Sequence, residues 1–357
     1  MQAKESTGAP EEHNALQRGR WLAVAAGLFL LAAAGCTSNP PVGTWEGPSA
    51  ALTPTIAPWT DAPACVPPGG RVVGTPHYLI YTTMTDDDFL KQTAQVMEGA
   101  LGEYRRLAPG ARAVDSPMKC YLFSDLAEWE SYTIWKTRDP HSIYLQITRG
   151  GYCIGDEYVA YNIGQASTLS VAAHEGWHQF RFRTFIGALP PFLEEGLATT
   201  FETIRWDRGL PQWNLSINGA RVLGLREAIE DHATWPLETL ITLDAGKVVT
   251  GSREKIEAFY SQSWAFADFL YNGDNKSRRP ALLRMIADAA AGTIRDPTGY
   301  LRHGFRQFNP AGCKPLLVDY LGGNLKAVDQ SFADIDTEYQ AYIHQLAYEG
   351  LNSQYPN

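Results

Sequence analysis

The segment His174-Glu175-Gly176-Trp177-His178 has the pattern H-E-x-x-H, and the apolar residues around it repeat with helical spacing. Residues four positions apart lie on one face of a helix, so the imidazoles of His174 and His178 can bind one zinc ion together. Glu175 lies beside them and is suited to accept a proton. The alternative is an ordinary helix that carries two half-buried histidines and a solvated glutamate. The zinc interpretation needs a further ligand, which the next segment offers.

Two adjacent glutamates follow in the sequence P-F-L-E-E-G-L-A, which begins at Pro191. Proline is favoured in the first turn of a helix, so a second helix is predicted to start there. Glu194 and Glu195 would point about 100° apart on that helix, and only one of them can face a metal ion. Two histidines and one carboxylate form the ligand set of a catalytic zinc site, with one position left for water.

The composition limits the class of protein. The chain has 357 residues, of which 45% are hydrophobic and 19% are charged, enough for a well-packed core in one large domain or two smaller ones. The net charge is −9, and Lys and Arg form no run or stripe. A nucleic-acid partner is therefore not expected.

The first residues have the pattern of an export signal. Arg18 and Arg20 precede an apolar run over residues 21–34, so residues 1–35 are predicted to be a secretory signal. The four residues that end at Cys36, A-A-G-C, resemble a bacterial lipobox, in which the cysteine is lipidated. The alternatives are an ordinary signal peptide cut nearby and an uncleaved anchor. This pattern predicts a lipoprotein held at a membrane of the bacterial envelope, outside the cytoplasm.

Residues 36–71 are rich in Pro, Gly, Ala, Ser and Thr and show no sustained periodicity. Such a composition predicts a flexible tether between the lipid anchor and a folded body. Four cysteines remain after Cys36, and an even number in an oxidising compartment suggests two disulfides of unspecified pairing. The alternative is four free buried thiols. These cysteines are Cys65, Cys120, Cys153 and Cys313.

The rest of the chain divides by its periodicity into two parts. Residues 72–165 contain a predicted helix and four predicted strands. Those strands are 77–83, 119–123, 142–148 and 158–163. Residues 166–357 are mainly helical in pattern. We therefore predict an α+β fold, in which a small N-terminal mixed sheet with helices packs on a mainly helical catalytic half, with the site helix at the junction.

These motifs carry a resemblance to a known group of enzymes. Residues 174–180 and 192–202 resemble the gluzincin metallopeptidases, a group that includes thermolysin and the aminopeptidases. Within that group the chain is similar to bacterial families described as peptidase MA-like. Those families combine an opening strand, here 77–83, with the catalytic helix pair and a later Y-x-Q-x-W segment, here 260–264. The resemblance extends over roughly residues 75–275 and implies a zincin-type catalytic half.

The resemblance also implies roles for single residues. His174, His178 and Glu195 would bind one Zn²⁺ ion, Glu175 would be the general base, and Tyr260 would stabilise the oxyanion. For Tyr260 the alternative is a core tyrosine on an amphipathic helix.

Other polar residues near the motifs have weaker assignments. Thr199 lies one helical turn after Glu195, where its hydroxyl could orient a ligand imidazole or be an ordinary helix threonine. Glu194 is expected on the solvated face, with a position near the amino-terminal side of the substrate as the alternative. Glu202 is expected to be a surface charge.

The stretch Gly150, Gly151 and Tyr152 precedes the catalytic helix. Zinc peptidases commonly hold an extended substrate against an edge strand by main-chain pairing. Glycines allow a substrate backbone to approach closely, but they also mark a simple turn between strands.

Two classes of function remain open at this point. The first is an extracytoplasmic zinc metallopeptidase that hydrolyses a peptide or protein substrate, with an amide of the cell wall as a variant. The second is a non-catalytic binding or assembly lipoprotein that keeps the zincin fold. The presence of both histidines, Glu175 and Glu195 favours the enzyme.

Overall fold

The computed structural model describes residues 52–147, 150–215, 218–294 and 310–349. The predicted signal segment 1–35 and Cys36 lie outside the described residues. No helix within the described ranges is long and apolar enough to cross a membrane.

A mixed six-stranded sheet forms the N-terminal part of the fold, in the order β1-β2-β3-β4-β6-β5. Strands β3, β4 and β6 run parallel to one another, and the other neighbours pair antiparallel. A separate hairpin is made by β7 and β8. The strands are β1 (Thr55–Pro58), β2 (Arg71–Gly74), β3 (Tyr78–Thr82), β4 (Met118–Phe123), β5 (Gly151–Ile154), β6 (Glu157–Tyr161), β7 (Ile204–Asp207) and β8 (Leu210–Trp213).

Helices dominate the part of the chain that follows the sheet. In the described residues they are α1 (Asp87–Leu107), α2 (Leu126–Thr137), α3 (Gln165–Thr184), α4 (Pro191–Thr200), α5 (Gly219–Glu230), α6 (Leu237–Leu240), α7 (Ala245–Val248), α8 (Arg253–Tyr271), α9 (Gly273–Lys276), α10 (Arg279–Ala291), α11 (Cys313–Tyr320) and α12 (Val328–Tyr348). Two short 3-10 helices cover Ile143–Gln146 and Pro310–Gly312. The α+β fold predicted from the sequence is confirmed.

Local sequence explains where the main helices start. The Asp86 carboxylate accepts hydrogen bonds from the backbone N–H groups of Asp88 and Phe89, both at 3.0 Å, and so caps α1. Pro191 occupies the first turn of α4, where its missing N–H is not needed. Ser252 caps α8 by accepting from the backbone N–H of Lys255.

Side-chain alternation along the strands separates two cores. In β4, Cys120 and Leu122 face the layer of α1 and α3, whereas Tyr121 and Phe123 face the layer of α2. The first core continues beyond α3 into α4, α8 and the C-terminal helices. Helix α3 therefore lies between the sheet and the helical half, at the junction predicted from the sequence.

The folded body begins earlier than the sequence indicated. Strand β1 lies within residues 36–71, which were predicted to be a tether, and pairs with β2. Trp59 and Val66 from the same stretch are buried in the second of these cores, on the side of the sheet that α2 covers; we call it the α2-side core. Residues 52–71 thus belong to the sheet layer, because two large apolar side chains anchor an otherwise Pro-rich segment. The remainder of the predicted tether, 36–51, lies outside the described residues.

The predicted strand 142–148 is wrong. Its described part forms a 3-10 turn, in which the Ile147 N–H donates to the Tyr144 carbonyl at 3.0 Å. The ring of Tyr144 stacks on Tyr152 with 4.1 Å between centroids. Local hydrogen bonds and this stacking replace the strand pairing that the β-branched and aromatic composition suggested.

The predicted disulfides are also absent, because all four cysteines of the described residues are free thiols. Cys120 in β4 and Cys153 in β5 are both register partners of Tyr158 in the strand between them. Two strand spacings separate their Cα atoms by about 10 Å, beyond the roughly 7 Å limit for a disulfide. Cys120, Cys153 and Cys313 are buried free thiols, which was the alternative interpretation of these cysteines.

Close packing of α4 against α8 depends on Gly196. A Cβ atom added there would lie 2.1 Å from the carbonyl oxygen of Ser263, which is backbone and cannot move aside. Gly102 on α1 offers a contrast, since nothing lies within 4 Å of the corresponding Cβ position.

We therefore expect opposite effects from two glycine-to-alanine changes. Gly196→Ala should lower the free energy of unfolding by at least about 3 kcal/mol, because the two helices must separate. Gly102→Ala should raise it by about 0.5–1 kcal/mol through helix propensity. Denaturant unfolding followed by circular dichroism measures both, and equal effects would contradict the packing of α4 on α8.

Asp268 is a carboxylic acid buried between α8 and α12. It accepts a hydrogen bond from the Tyr342 hydroxyl at 2.5 Å and another from the Asn272 amide. Burial raises the pKa of Asp268 to about 6 from 3.8, against the lowering effect of these hydrogen bonds. The folded protein therefore favours the protonated acid. The stability that Asp268 contributes is full below about pH 4 and is lost as the pH rises towards 6.

The variant Asp268→Asn keeps a neutral polar group at every pH. Relative to the variant, the wild type should lose stability on the order of 3 kcal/mol between pH 4 and pH 7. Unfolding free energies of both proteins across this pH range provide the measurement. A difference that does not change with pH would show that Asp268 has the same pKa in the folded and unfolded chains.

Candidate metal centre

Three side chains from two helices converge on one point. His174 and His178 extend from α3, and Glu195 extends from α4. The Nε2 atoms of the two histidines are 3.3 Å apart. Oε2 of Glu195 lies 3.4 Å from Nε2 of His174 and 3.5 Å from Nε2 of His178. All three residues are buried. This group could hold a metal ion, as the sequence predicted.

Each imidazole is oriented by a carboxylate that lies next to its Nδ1 atom. Nδ1 of His174 lies 2.9 Å from Oε1 of Glu202, and Nδ1 of His178 lies 3.0 Å from Oε1 of Glu194. A carboxylate accepts hydrogen bonds, so each Nδ1 carries a proton, and Nε2 is the nitrogen left to bind a metal ion in place of any proton of its own. The two Nε2 atoms lie 3.3 Å apart, close enough to share a proton or a metal ion. The outer carboxylates therefore fix the tautomers that metal binding requires.

Two buried arginines complete this outer layer. Arg221 from α5 grips Glu202 with two hydrogen bonds, from Nε to Oε2 at 2.9 Å and from Nη2 to Oε1 at 2.7 Å. Arg181 from α3 donates from Nε to Oε1 of Glu194 at 2.7 Å. The centre thus has two chains of hydrogen bonds of the same kind, each of which connects an arginine to a glutamate and that glutamate to a histidine. We call each chain a relay.

The electric field of the carboxylates favours positive charge at the centre. Burial opposes ionisation of Glu195, but His178 and His174 lower its pKa to about 2. Burial likewise opposes a proton on His178, yet Glu195 and Glu194 raise its pKa to about 10. A proton or a metal ion at this position therefore meets a strongly attractive field.

Glu175 differs from the other glutamates of the centre because neither of its carboxylate oxygens has a hydrogen-bond partner. Its side chain is fully buried, and its own backbone carbonyl lies 3.1 Å from the Cys153 thiol of β5. Burial raises the pKa of Glu175 to about 7, although His174 and His178 pull it down. A buried carboxylate with free oxygens beside a metal-binding group is suited to accept and return a proton.

Tyr260 from α8 lies on the other side of the centre. Its ring centroid is 6.3 Å from that of His174, and its hydroxyl has no hydrogen-bond partner. Burial raises the pKa of the phenol, as do the nearby Glu195 and Glu175. Tyr260 is therefore a neutral O–H donor at neutral pH. Tyr260 was proposed from the sequence as a site residue, and it lies beside the metal-binding group.

Gly176 in the middle of α3 has a packing role. The Tyr104 hydroxyl donates a hydrogen bond to the Ala173 carbonyl, and a Cβ atom on residue 176 would lie 2.7 Å from that hydroxyl oxygen. Glycine at this position lets α1 approach α3 and fixes the turn that carries His174.

Thr199 does not orient an imidazole. Its hydroxyl donates to the Gly196 carbonyl within α4 at 2.7 Å, so it is an ordinary helix threonine. The imidazole partners are Glu194 and Glu202, which were expected at the surface and are in fact buried. Glu202 lies just after the end of α4, where helical spacing no longer applies, and its partner Arg221 comes from α5, so no local pattern could have found it. Glu194 likewise gave no signal, because its partner Arg181 belongs to another helix.

The stretch with Gly150, Gly151 and Tyr152 leads into β5, an edge strand of the sheet in the described residues. Cys153 connects this strand to the centre, since its thiol lies 3.1 Å from the Glu175 carbonyl. Gly151 is required by its own sheet, because a Cβ atom there would lie 2.9 Å from the Val159 carbonyl oxygen. The side chain of Tyr152 points to the α2-side core, away from the metal-binding group.

Comparison of the chain with protein-family models, with curated proteins and with solved structures found no match to any of them. The site is therefore interpreted from its own geometry.

Cation binding should stabilise the fold through Glu195. A divalent ion at 100 times its dissociation constant adds about 2.7 kcal/mol to the free energy of unfolding. Glu195→Gln should remove most of this gain, whereas Glu254→Gln, which alters an exposed carboxylate, should keep it. Thermal unfolding of the full chain with and without added Zn²⁺ measures the effect. The same zinc-dependent shift in both variants would place the ion elsewhere.

Proposed function

We propose that the protein is an extracytoplasmic zinc metallopeptidase that cleaves peptide bonds in a peptide or protein substrate. One observation carries the proposal: two buried groups without partners, the Glu175 carboxylate and the Tyr260 hydroxyl, flank the group of two histidines and Glu195. Burying such polar groups without a partner is costly, and catalytic sites are where that cost is tolerated.

The ligand atoms suit zinc. A tetrahedral ion with bonds of about 2.0–2.1 Å separates its ligand atoms by about 3.3–3.4 Å. The distances between the three ligand atoms are 3.3, 3.4 and 3.5 Å. Two imidazole nitrogens and one carboxylate oxygen are also a usual ligand set of catalytic zinc.

The charge of the buried layer suits a divalent ion. Glu175, Glu194, Glu195 and Glu202 contribute four carboxylates, and Arg181 and Arg221 contribute two guanidinium groups, all of them buried. Two negative charges are then left without a cation when the histidines are neutral. An ion of charge +2 balances them, and an unbalanced charge in the interior is strongly unfavourable.

The roles of the side chains follow from their positions. Zinc, when bound, supplies Lewis acidity towards a water molecule and towards the scissile carbonyl. Glu175 accepts the proton of the attacking water and returns it to the leaving amine. Tyr260 donates its O–H to the oxyanion of the tetrahedral intermediate. Glu202 and Glu194 keep both imidazoles in the ligand tautomer throughout.

Substrate recognition is proposed along β5. An extended segment of substrate can pair with the free edge of this strand by main-chain hydrogen bonds, close to Glu175. Glu194 is engaged by Arg181 and His178, so it is not available to bind the amino group of a substrate. We therefore propose recognition through the substrate backbone.

The predicted export signal and the predicted lipid anchor at Cys36 support a location outside the cytoplasm and at a membrane. This part of the proposal depends on the sequence pattern of residues 1–36.

The alternative class is a non-catalytic binding or assembly lipoprotein. One observation favours it: the side chains of the centre are enclosed, and His174 and Glu175 have no exposed surface. A substrate must reach both of them, whereas a structural metal need not be reached.

Cleavage of a mixed peptide library by the full chain tests the proposal. The zinc-loaded wild type should cut peptides, and Glu175→Gln should bind zinc equally well but cut about 10²–10⁴ times more slowly. Mass spectrometry of the products gives the rate and the positions of the cuts. Wild-type and variant activities that are equal would contradict the role of Glu175, and a folded, zinc-loaded wild type without activity would favour the binding class.

Tyr260→Phe removes only the hydroxyl. We expect kcat to fall about 10²–10³-fold, because the oxyanion loses a donor that acts mainly in the transition state. KM and zinc affinity should stay close to those of the wild type. Steady-state kinetics on one cleaved peptide measures both constants, and a change confined to KM would make Tyr260 a substrate-binding residue instead.

A further inference from the structure

Arg221 has contacts at the centre in addition to its hydrogen bonds to Glu202. Its guanidinium carbon lies 5.3 Å from the centroid of the Tyr260 ring, a cation–π contact. Its Nη1 also lies 3.8 Å from Oε2 of Glu257 on the same helix as Tyr260. The side chain is buried, so these interactions take place away from bulk water.

Arg221 is connected to the metal-binding group through two residues, Glu202 and Tyr260. Glu202 accepts from Nδ1 of His174 with the same Oε1 that accepts from Nη2 of Arg221. The Tyr260 ring lies against Arg221 on one side and near the His174 ring on another. One guanidinium group is thus in contact with the support of a metal ligand and with the proposed oxyanion donor.

The neighbouring loop holds Arg221 in this place. Asn218 caps α5 by accepting from the backbone N–H of Arg221 at 3.2 Å. Its amide donates to the Thr199 carbonyl at 2.9 Å and to Oε2 of Glu202 at 3.2 Å. The start of α5, the end of α4 and the guanidinium group therefore form one hydrogen-bonded unit.

Arg181 provides a natural comparison. It occupies the equivalent position in the other relay, since it donates to Glu194, which supports His178. Among the described residues, no aromatic ring forms a cation–π contact with Arg181. The two relays therefore share the support of a histidine, and only the Arg221 relay extends to Tyr260.

We propose that Arg221 is a positioning residue that couples the metal centre to Tyr260. It sets the orientation of His174 through Glu202 and the position of the Tyr260 ring through the cation–π contact. The inference rests on the proposed function, because the role of Tyr260 as oxyanion donor belongs to that function.

A lysine cannot replace Arg221 in this role. The planar guanidinium group makes two hydrogen bonds to Glu202 while its carbon lies 5.3 Å from the centroid of the Tyr260 ring. An ammonium group keeps the charge but lacks the fork of two donors and the planar, delocalised cation. Arg221→Lys therefore tests geometry at constant charge, and Arg181→Lys is the matched control.

The first measurement does not depend on activity. With 3-fluorotyrosine at position 260, the ¹⁹F resonance of the zinc-loaded full chain reports the surroundings of the ring. Arg221→Lys should shift this resonance, and Arg181→Lys should leave it in place. Both variants should weaken zinc affinity about 10-fold or more, since each disturbs the support of one histidine. A resonance that moves equally in both variants, or in neither, would overturn the coupling.

The second measurement is a kinetic cycle with Tyr260→Phe at saturating zinc. In the wild-type background Arg221→Lys should lower kcat about 10-fold, and in the Tyr260→Phe background it should cause little further loss. The effect of Arg181→Lys on kcat should be the same in both backgrounds. Arg221→Lys losses that multiply with those of Tyr260→Phe would overturn the coupling during turnover.

A second pair of variants covers the case in which Arg221→Lys does not fold. Glu202→Gln removes the charge that holds the guanidinium group, so the ¹⁹F resonance of Tyr260 should shift, and Glu194→Gln should leave it unchanged. An unshifted resonance in Glu202→Gln would overturn the proposal. If the wild type shows no peptidase activity while the ¹⁹F results agree with expectation, the proposed function fails and the coupling of Arg221 to Tyr260 stands.

Discussion

The burial of four carboxylates in one small volume is the constraint on which the rest of the centre depends. Glu175 comes from α3, Glu194 and Glu195 come from α4, and Glu202 comes from the turn after α4. All four have almost no contact with solvent. Charges in such a place require compensation, and the chain provides two buried arginines from α3 and α5. The helical half is therefore organised around a network of charges, in which α3, α4 and α5 are connected by ion pairs as well as by apolar packing. The remaining negative charge makes the enclosed point between His174, His178 and Glu195 attractive to a cation.

Glycine makes the convergence of these helices possible. Gly176 admits the Tyr104 hydroxyl against α3, and Gly196 admits the backbone of α8 against α4. With side chains at these two positions, Tyr104 would have to shift from α3 and α8 would have to move away from α4. The two helices that carry the ligand atoms are therefore held in place partly by glycines that do not belong to the metal-binding group.

Sequence patterns predicted the parts of the fold that depend on local periodicity. The i, i+4 spacing of His174 and His178, the preference of Pro191 for the first turn of a helix and the apolar composition of the segment that became β4 are all local signals. Interactions between distant segments could not be read in this way. The burial of Glu194 depends on Arg181, and the strand character of 55–58 depends on pairing with β2. The stretch 142–148 had strand composition, but a stacking partner on β5 decided its conformation.

Glu175 and Glu195 show how one buried environment supports two different chemical roles. Both lie beside the same two histidines, and burial raises the pKa of each. Glu195 contacts both imidazoles directly, and their attraction lowers its pKa to about 2, as suits a ligand that must stay ionised. For Glu175 burial outweighs the attraction of the two histidines, so its pKa rises to about 7, as suits a group that exchanges a proton near neutral pH. Position relative to the two imidazoles, and not residue type, therefore separates the proposed ligand from the proposed base.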